Sequence, residues 1–205
     1  HTALVGPTGS GKTTISYLIA RLYDTAQGRI CYDGIDIREL SFATLADLVG
    51  IVTQDTFLLN ASIKDNLRFA KPDASEEELW RALERAQLDT MVRRLPDGLD
   101  AGVGDRGYQL SGGERQRLSL ARMLLRDPPI ILLDEATSAL DSTTQAAMAN
   151  ALACLQGPRT LISIAHRLST VREADQILVI QDGRLVEQGT HQELVGQNGL
   201  YAAMA

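Results

Sequence analysis

The feature that most constrains the fold is a glycine-rich segment near the start of the chain. It matches the pattern G-x-x-x-x-G-K-[ST], in which glycines let backbone N–H groups wrap a phosphate, the lysine reaches the β/γ oxygens and the hydroxyl binds Mg²⁺. An apolar run at 3–5 precedes it and apolar residues at helical spacing follow it, so we expect strand, loop and helix around a triphosphate. The helical face is Ile15, Leu18, Ile19 and Leu22, and the candidate phosphate-binding residues are Gly6, Pro7, Thr8, Gly9, Ser10, Gly11, Lys12, Thr13 and Thr14.

A second donor-rich segment, Leu110-Ser111-Gly112-Gly113-Glu114, lies about a hundred residues later. It precedes a predicted helix over 113–126, and the unpaired amides and macrodipole at a helix start attract anions. We therefore expect Ser111, Gly112 and Gly113 to provide a second set of phosphate contacts.

Composition narrows the class of protein. With 205 residues, 44% of them hydrophobic, the chain can bury one α/β core or a core with a smaller subdomain. A net charge of −6 argues against nucleic acid as a partner, and an arginine stripe at 115, 117 and 122 is interpreted as solvated or subunit-facing.

The two cysteines have no metal or redox spacing, which favours a reduced cytosolic compartment. The sequence contains no apolar run near the roughly 20 residues of a membrane span, so we expect any membrane association to be indirect.

Local signals place the secondary structure. Asp33-Gly34 predicts a hairpin over 28–37, and a second hairpin is predicted over 176–186. Ser75 and Glu78 form a capping box that starts a helix in a mainly helical stretch from 57 to 126. Apolar runs at 130–133 and 161–165 are typical of strands buried on both faces of a parallel sheet.

Polar residues follow the predicted strands, where ligands of open α/β sheets bind. Asp134 is expected to hold Mg²⁺ with Thr13, and Glu135 beside it is the candidate general base. Without the phosphate loop, this acidic pair would equally well be a solvated strand end or a helix cap. His166 follows the strand at 161–165 and is a candidate γ-phosphate donor, while Gln54 follows a strand-like run and would touch the metal or the attacking water.

These segments, in this order, resemble the ATP-binding cassette of ABC transporters. The matching elements are Walker A at 6–13, the Q-loop at Gln54, the signature at 110–114, Walker B at 130–135, the D-loop at 138–141 and the H-loop at His166. The resemblance covers essentially the whole chain. It implies an α/β fold with a P-loop NTPase (RecA-like) core and a mostly parallel sheet at 1–56 and 127–205, an inserted α-helical signature subdomain at 57–126, and remnants of an antiparallel β subdomain.

Segments 54–67 and 101–107 resemble the exporter branch of this family. The resemblance implies that two cassettes dimerise head to tail around Mg²⁺ and ATP, with the signature and Asp141 of one subunit meeting Walker A of the other. Hydrolysis would then power export by transmembrane domains that dock in a groove near Gln54 and Phe57. The expected location is the cytoplasmic face of a membrane, here a bacterial inner membrane.

The chain departs from the family pattern at its start. It begins at His1 without methionine, so we expect a piece of a longer polypeptide that lacks the first antiparallel strands and the adenine-stacking aromatic residue.

Three alternative functions stay open: a soluble ABC ATPase of a non-transport class, a regulatory module with little turnover, and a nucleotide kinase or GTPase. The first would typically have a coiled-coil insertion or tandem cassettes, and a GTPase should have an Asn-Lys-x-Asp motif, none of which this sequence contains.

Overall fold

The computed structural model describes residues 1–53, 56–107, 109–134, 159–164 and 171–204. Two compact units contain these residues. The first unit comprises 1–51, 129–134, 159–164 and 171–204, and the second comprises 52–53, 56–107 and 109–128. None of the helices in the described ranges has the length and apolar character that a membrane crossing requires.

Among the residues that the structure describes, the main sheet has six strands and is mostly parallel, as predicted. Across the sheet, the strands are β4 (Val49–Thr53), β5 (Ile130–Asp134), β6 (Thr160–Ile164), β1 (Thr2–Val5), β7 (Gln176–Gln181) and β8 (Arg184–Gly189). Parallel pairing joins β5 to β6, β6 to β1 and β1 to β7, whereas β8 is antiparallel to β7. The register of these parallel pairs places Asp134 beside Ile164 and Val5 beside Val179, so the strands that precede the candidate site end near one another.

Strands β1 and β5 are nearly continuous apolar runs, which suits strands covered on both faces, and most of their residues are buried. The same prediction for 161–165 holds only toward the end of β6, where Ile164 is buried, because Leu161 and Ile162 are half-buried. One core cluster joins β1 and β7 to the C-terminal helices α7 (His191–Gly196) and α8 (Leu200–Met204). Its buried members include Ala3, Val5, Ile177, Val179, Leu194 and Tyr201. The buried-strand prediction for 130–133 is confirmed, with Ile131 and Leu132 each 1% exposed.

Helix α1 (Lys12–Ile19) is shorter than the apolar spacing predicts. The chain leaves the helix through Arg21, which has a positive φ of 53°, while the Leu22 N–H donates to the carbonyl of Tyr17. This is the hydrogen-bond pattern of a Schellman cap, formed here without glycine. The predicted apolar face is therefore wrong at Leu22, which is 59% exposed, and the fully buried residues of α1 are instead Lys12 and Ser16.

The predicted hairpin around Asp33-Gly34 is confirmed. Strands β2 (Cys31–Tyr32) and β3 (Ile35–Asp36) are antiparallel, and both turn residues have positive φ, at 48° and 84°. That geometry suits the right-handed twist of paired strands. A short 3₁₀ turn and helix α2 (Phe42–Leu48), capped by the Ser41 side chain, lead from the hairpin to β4.

The second unit contains, among its described residues, helices α3 (Ile63–Arg68), α4 (Glu76–Arg85), α5 (Asp89–Arg94) and α6 (Gly112–Arg126). The predicted helical character of this stretch and the predicted start of α4 are confirmed. At that start, the Ser75 and Glu78 side chains each accept from the other's backbone N–H. Helices α3 and α4 pack against α6, and the apolar side of α4 is fully buried at Leu79 and Leu83.

The capping box of α4 predicts a defined acid sensitivity. A hydrogen bond from Lys71, followed by one from the Ser75 N–H, lowers the pKa of Glu78 from 4.5 to about 2. Because the folded-state pKa is the lower one, this contribution to stability is present above about pH 4.5 and is lost as the pH falls toward 2. We expect Glu78→Gln, which can still cap the helix, to destabilise the chain more at pH 6 than at pH 3 in urea unfolding. An equal effect at both pH values would contradict this prediction.

Candidate functional site

The glycine-rich loop runs from the end of β1 to the start of α1. Gly6 has a φ of 150°, and a Cβ added there would lie 2.0 Å from the carbonyl oxygen of Ile180 on β7. Backbone approach this close excludes any side chain at Gly6. The loop is therefore pressed against the neighbouring strand at its first residue.

The Lys12 side chain lies inside the curve of this loop and is 5% exposed. Its ammonium donates to the carbonyl oxygens of Gly6 and Pro7, each at 2.9 Å, and lies 3.4 Å from the Ser10 hydroxyl. These contacts hold a positive charge at the centre of the segment that is predicted to wrap a phosphate.

The start of α1 suits an anion as well. Its N-cap is Gly11, which has a φ of 102° and offers no side-chain cap, and its first turn has no acidic residue. The first amides of a helix have no acceptor within the helix, and the macrodipole makes this end positive. The following residues Thr13 and Thr14 are exposed. The residues present therefore fit a bound triphosphate.

A buried carboxylate lies next to this helix. Asp134 ends β5, is 8% exposed, and has an oxygen 3.5 Å from the Ser16 hydroxyl. The same hydroxyl donates to the backbone carbonyl of Thr13 at 2.8 Å. Ser16 thus links the predicted hydroxyl ligand and the predicted carboxylate of the metal site. Carboxylate and hydroxyl oxygens, with waters, are the ligands that Mg²⁺ takes beside phosphates, so this donor set fits the metal.

Sequence reasoning missed Ser16, although it follows Lys12 by four residues and hence lies on the same side of α1. It also missed the support from the β7–β8 turn. The Gly183 N–H at that turn donates to the Ser10 carbonyl at 2.9 Å, and a Cβ on Gly11 would lie 3.6 Å from the Gly183 Cα. The second predicted hairpin therefore contacts the phosphate loop directly.

In the second unit, Ser111 is the N-cap of α6, and the predicted helix begins one residue earlier than expected, at Gly112. The Ser111 hydroxyl accepts from the Glu114 N–H at 3.3 Å, while the Glu114 carboxylate accepts from the Ser111 N–H at 2.7 Å. Gly112 and Gly113 form the first turn, where backbone N–H groups lack intrahelical acceptors.

Two arginines of the stripe on α6 have intramolecular partners that the sequence does not reveal. Arg115 donates to the Leu110 carbonyl at 2.8 Å. Arg122 donates to the Phe57 carbonyl at 2.7 Å and lies over the Phe69 ring at 5.1 Å, and burial lowers its pKa. The side chains of Phe57 and Phe69 are themselves largely exposed, at 68% and 64%. These arginines tie α6 to neighbouring segments of its own unit.

Four predicted site residues lie outside the described residues: Gln54, Glu135, Asp141 and His166. Their assigned roles stay predictions. Within the described ranges, no group of three or more His, Cys, Asp or Glu side chains is arranged to hold a metal by itself.

Comparison with known proteins extends these observations. A family model described as ABC transporter matches residues 1–138. An uncharacterized ABC transporter ATP-binding protein of Bacillus subtilis, YwjA, is 46% identical over 202 residues, which cover 98% of this chain and 35% of YwjA. The β-(1→2)glucan export ATP-binding/permease protein NdvA of Rhodopseudomonas palustris is 51% identical over 203 residues, covering 99% of this chain and 34% of NdvA.

A solved structure agrees in both sequence and fold. A bacterial Atm1-family ABC exporter with ATP bound is 46% identical and superimposes with a TM-score of 0.94, over 99% of this chain and 36% of that chain. The chain thus spans about a third of the length of each of these three proteins. The mostly parallel sheet with flanking helices is the predicted P-loop NTPase fold, and the chain belongs to the ABC transporter family.

Proposed function

We propose that this chain is the ATP-binding and ATP-hydrolysing part of an ABC exporter. The observation that carries the proposal is the phosphate loop, in which the buried Lys12 ammonium and the uncapped, acid-free start of α1 present positive charge to one site. An anion with several charges gains most from this arrangement, because charge-assisted hydrogen bonds and the helix dipole act together.

Within this site, residues 6–14 bind the phosphates and Thr13 ligates Mg²⁺. Asp134 would hold the metal through water, and its carboxylate lies 3.5 Å from the Ser16 hydroxyl. Gln54 completes the metal contacts, Glu135 orients and deprotonates the attacking water, and His166 donates to the γ-phosphate. The protein's task in such a transfer is positioning and charge stabilisation, which this set of residues can supply.

The signature supplies the remaining phosphate contacts from a second copy of the chain. Ser111, Gly112 and Gly113 carry donors at the start of α6, and they belong to the second unit rather than to the unit that holds Lys12. We assign this role to the helical subdomain 57–126, with Asp141 contacting the other copy. ATP then joins two chains head to tail, and hydrolysis releases them.

Closing and opening of this dimer drives export through membrane domains outside the 205 residues. We assign the groove that receives them to the sequence segment around Gln54 and Phe57, and the Phe57 side chain is exposed. Relatives support export as the activity: besides NdvA, the mitochondrial iron-sulfur clusters transporter ATM1 of Yarrowia lipolytica is 48% identical over 99% of this chain and 29% of its own length. We place the chain at the cytoplasmic face of a bacterial inner membrane.

The role of Lys12 predicts a large loss of nucleotide affinity on neutralisation. We expect Lys12→Met to raise the Kd for Mg-ATP about ten- to a hundredfold, because a hydrogen bond to a charged group is lost. Calorimetric titration measures this, and thermal unfolding shows whether the variant is folded. Lys64→Met, the same change on α3 of the second unit, is the matched control and should bind like the parent. Unchanged affinity in a folded Lys12→Met variant would contradict the proposal.

The role of Asp134 predicts a defect in metal use rather than in nucleotide binding. Asp134→Asn keeps the shape of the side chain and removes its charge. We expect the Mg²⁺ concentration for half-maximal hydrolysis to rise about ten- to a hundredfold, as for other outer-shell carboxylates, while metal-free ATP binding stays at the parent level. Asp97→Asn in the second unit should change neither quantity. An Asp134→Asn enzyme with parental Mg²⁺ dependence would exclude this residue from the metal site.

A further inference from the structure

Three described helices begin with the same reciprocal cap. In each, a Ser or Thr side chain accepts from a backbone N–H and a Glu carboxylate returns to the N-cap N–H. The pairs are Ser75 with Glu78, Ser111 with Glu114, and Thr190 with Glu193. The cap of α6 differs from the other two in position, because it lies within the segment that we assign to ATP contact.

The Glu114 carboxylate occupies the place where a helix most attracts an anion. Its oxygen lies 2.7 Å from the Ser111 N–H, so one donor of the signature is already bound to a negative group. The donors left for a ligand are the Ser111 hydroxyl and the first-turn N–H groups of Gly112 and Gly113. A fixed negative charge beside them opposes an incoming phosphate.

The start of α1 is built in the opposite way. Its cap is a glycine without a side-chain hydrogen bond, its first turn has no acidic residue, and the Lys12 ammonium lies within the preceding loop. Of the two phosphate-binding helix starts, α1 is thus arranged to hold an anion firmly and α6 to hold it weakly. Capping alone does not require the negative charge of Glu114, because glutamine can form the same capping box as glutamate.

We propose that Glu114 is an affinity-setting residue, whose charge weakens the contact between the signature and the ATP held by the partner chain. This role rests on the head-to-tail dimer of the proposed function. It makes the signature side of the site separate first, while the nucleotide stays with α1 of its own chain. Neighbouring Arg115, which donates to the Leu110 carbonyl, adds a positive charge at this helix end that Glu114 offsets.

The test uses the 205-residue chain with Glu135→Gln, which traps ATP, as the parent. Glu114→Gln is added, and the dimer dissociation constant is measured by sedimentation at saturating Mg-ATP. We expect dimerisation to tighten about two- to fivefold for each site, the range for a charge at a helix start. Both sites contribute to one dimer, so their factors multiply. The gain should be largest at about 0.03 M salt and shrink at about 0.5 M, because salt screens exposed charges.

Glu193→Gln is the matched control, since it makes the same change in the same kind of cap on α7, which belongs to the first unit and is not part of the signature. It should leave the dissociation constant at the parental value. Equal values for Glu114→Gln and Glu193→Gln would show that Glu114 only caps its helix. A weaker dimer with Glu114→Gln would show a favourable contact of the carboxylate with the ligand. Either result overturns the affinity-setting role while leaving the composite site intact, whereas a parent that binds ATP and stays monomeric overturns both.

Discussion

The close approach of Gly6 to the Ile180 carbonyl is the constraint on which the phosphate loop depends. It fixes the loop against β7, so that the loop carbonyls of Gly6 and Pro7 turn to the Lys12 ammonium. The β7–β8 turn adds a hydrogen bond to Ser10. Sheet order thus determines the site, because β7 must lie beside β1 for this support to exist.

In the proposed function, the starts of α1 and α6 both contribute contacts to phosphate. Helix α1 offers an uncapped, acid-free start beside a buried lysine, whereas α6 starts with a serine cap and a carboxylate. An arrangement of one firm and one weak phosphate contact suits a nucleotide that joins two chains and then lets them separate. The conformational cycle that we propose therefore has a chemical origin in the first turns of two helices.

Local signals made much of this fold predictable. Asp33-Gly34, the Ser75 cap and the apolar run before Asp134 each act within a few residues, and the structure confirms them. The end of α1 was not predictable, because Arg21 takes the left-handed conformation that usually marks glycine. The contact of Ser16 with Asp134 and the hydrogen bond from Gly183 to Ser10 were not predictable from local patterns, because each joins residues that are distant in sequence. The assigned roles of the site residues remain predictions.

We propose that ATP joins two chains through Walker A of one and the signature of the other. Light scattering of the Glu135→Gln variant, with and without Mg-ATP, tests it most directly when nucleotide binding is measured on the same samples. We expect Mg-ATP to double the mass in solution, and we expect the added substitution Ser111→Arg to abolish the dimer while ATP still binds. A Glu135→Gln chain that binds ATP and remains monomeric, or a dimer unaffected by Ser111→Arg, would contradict it.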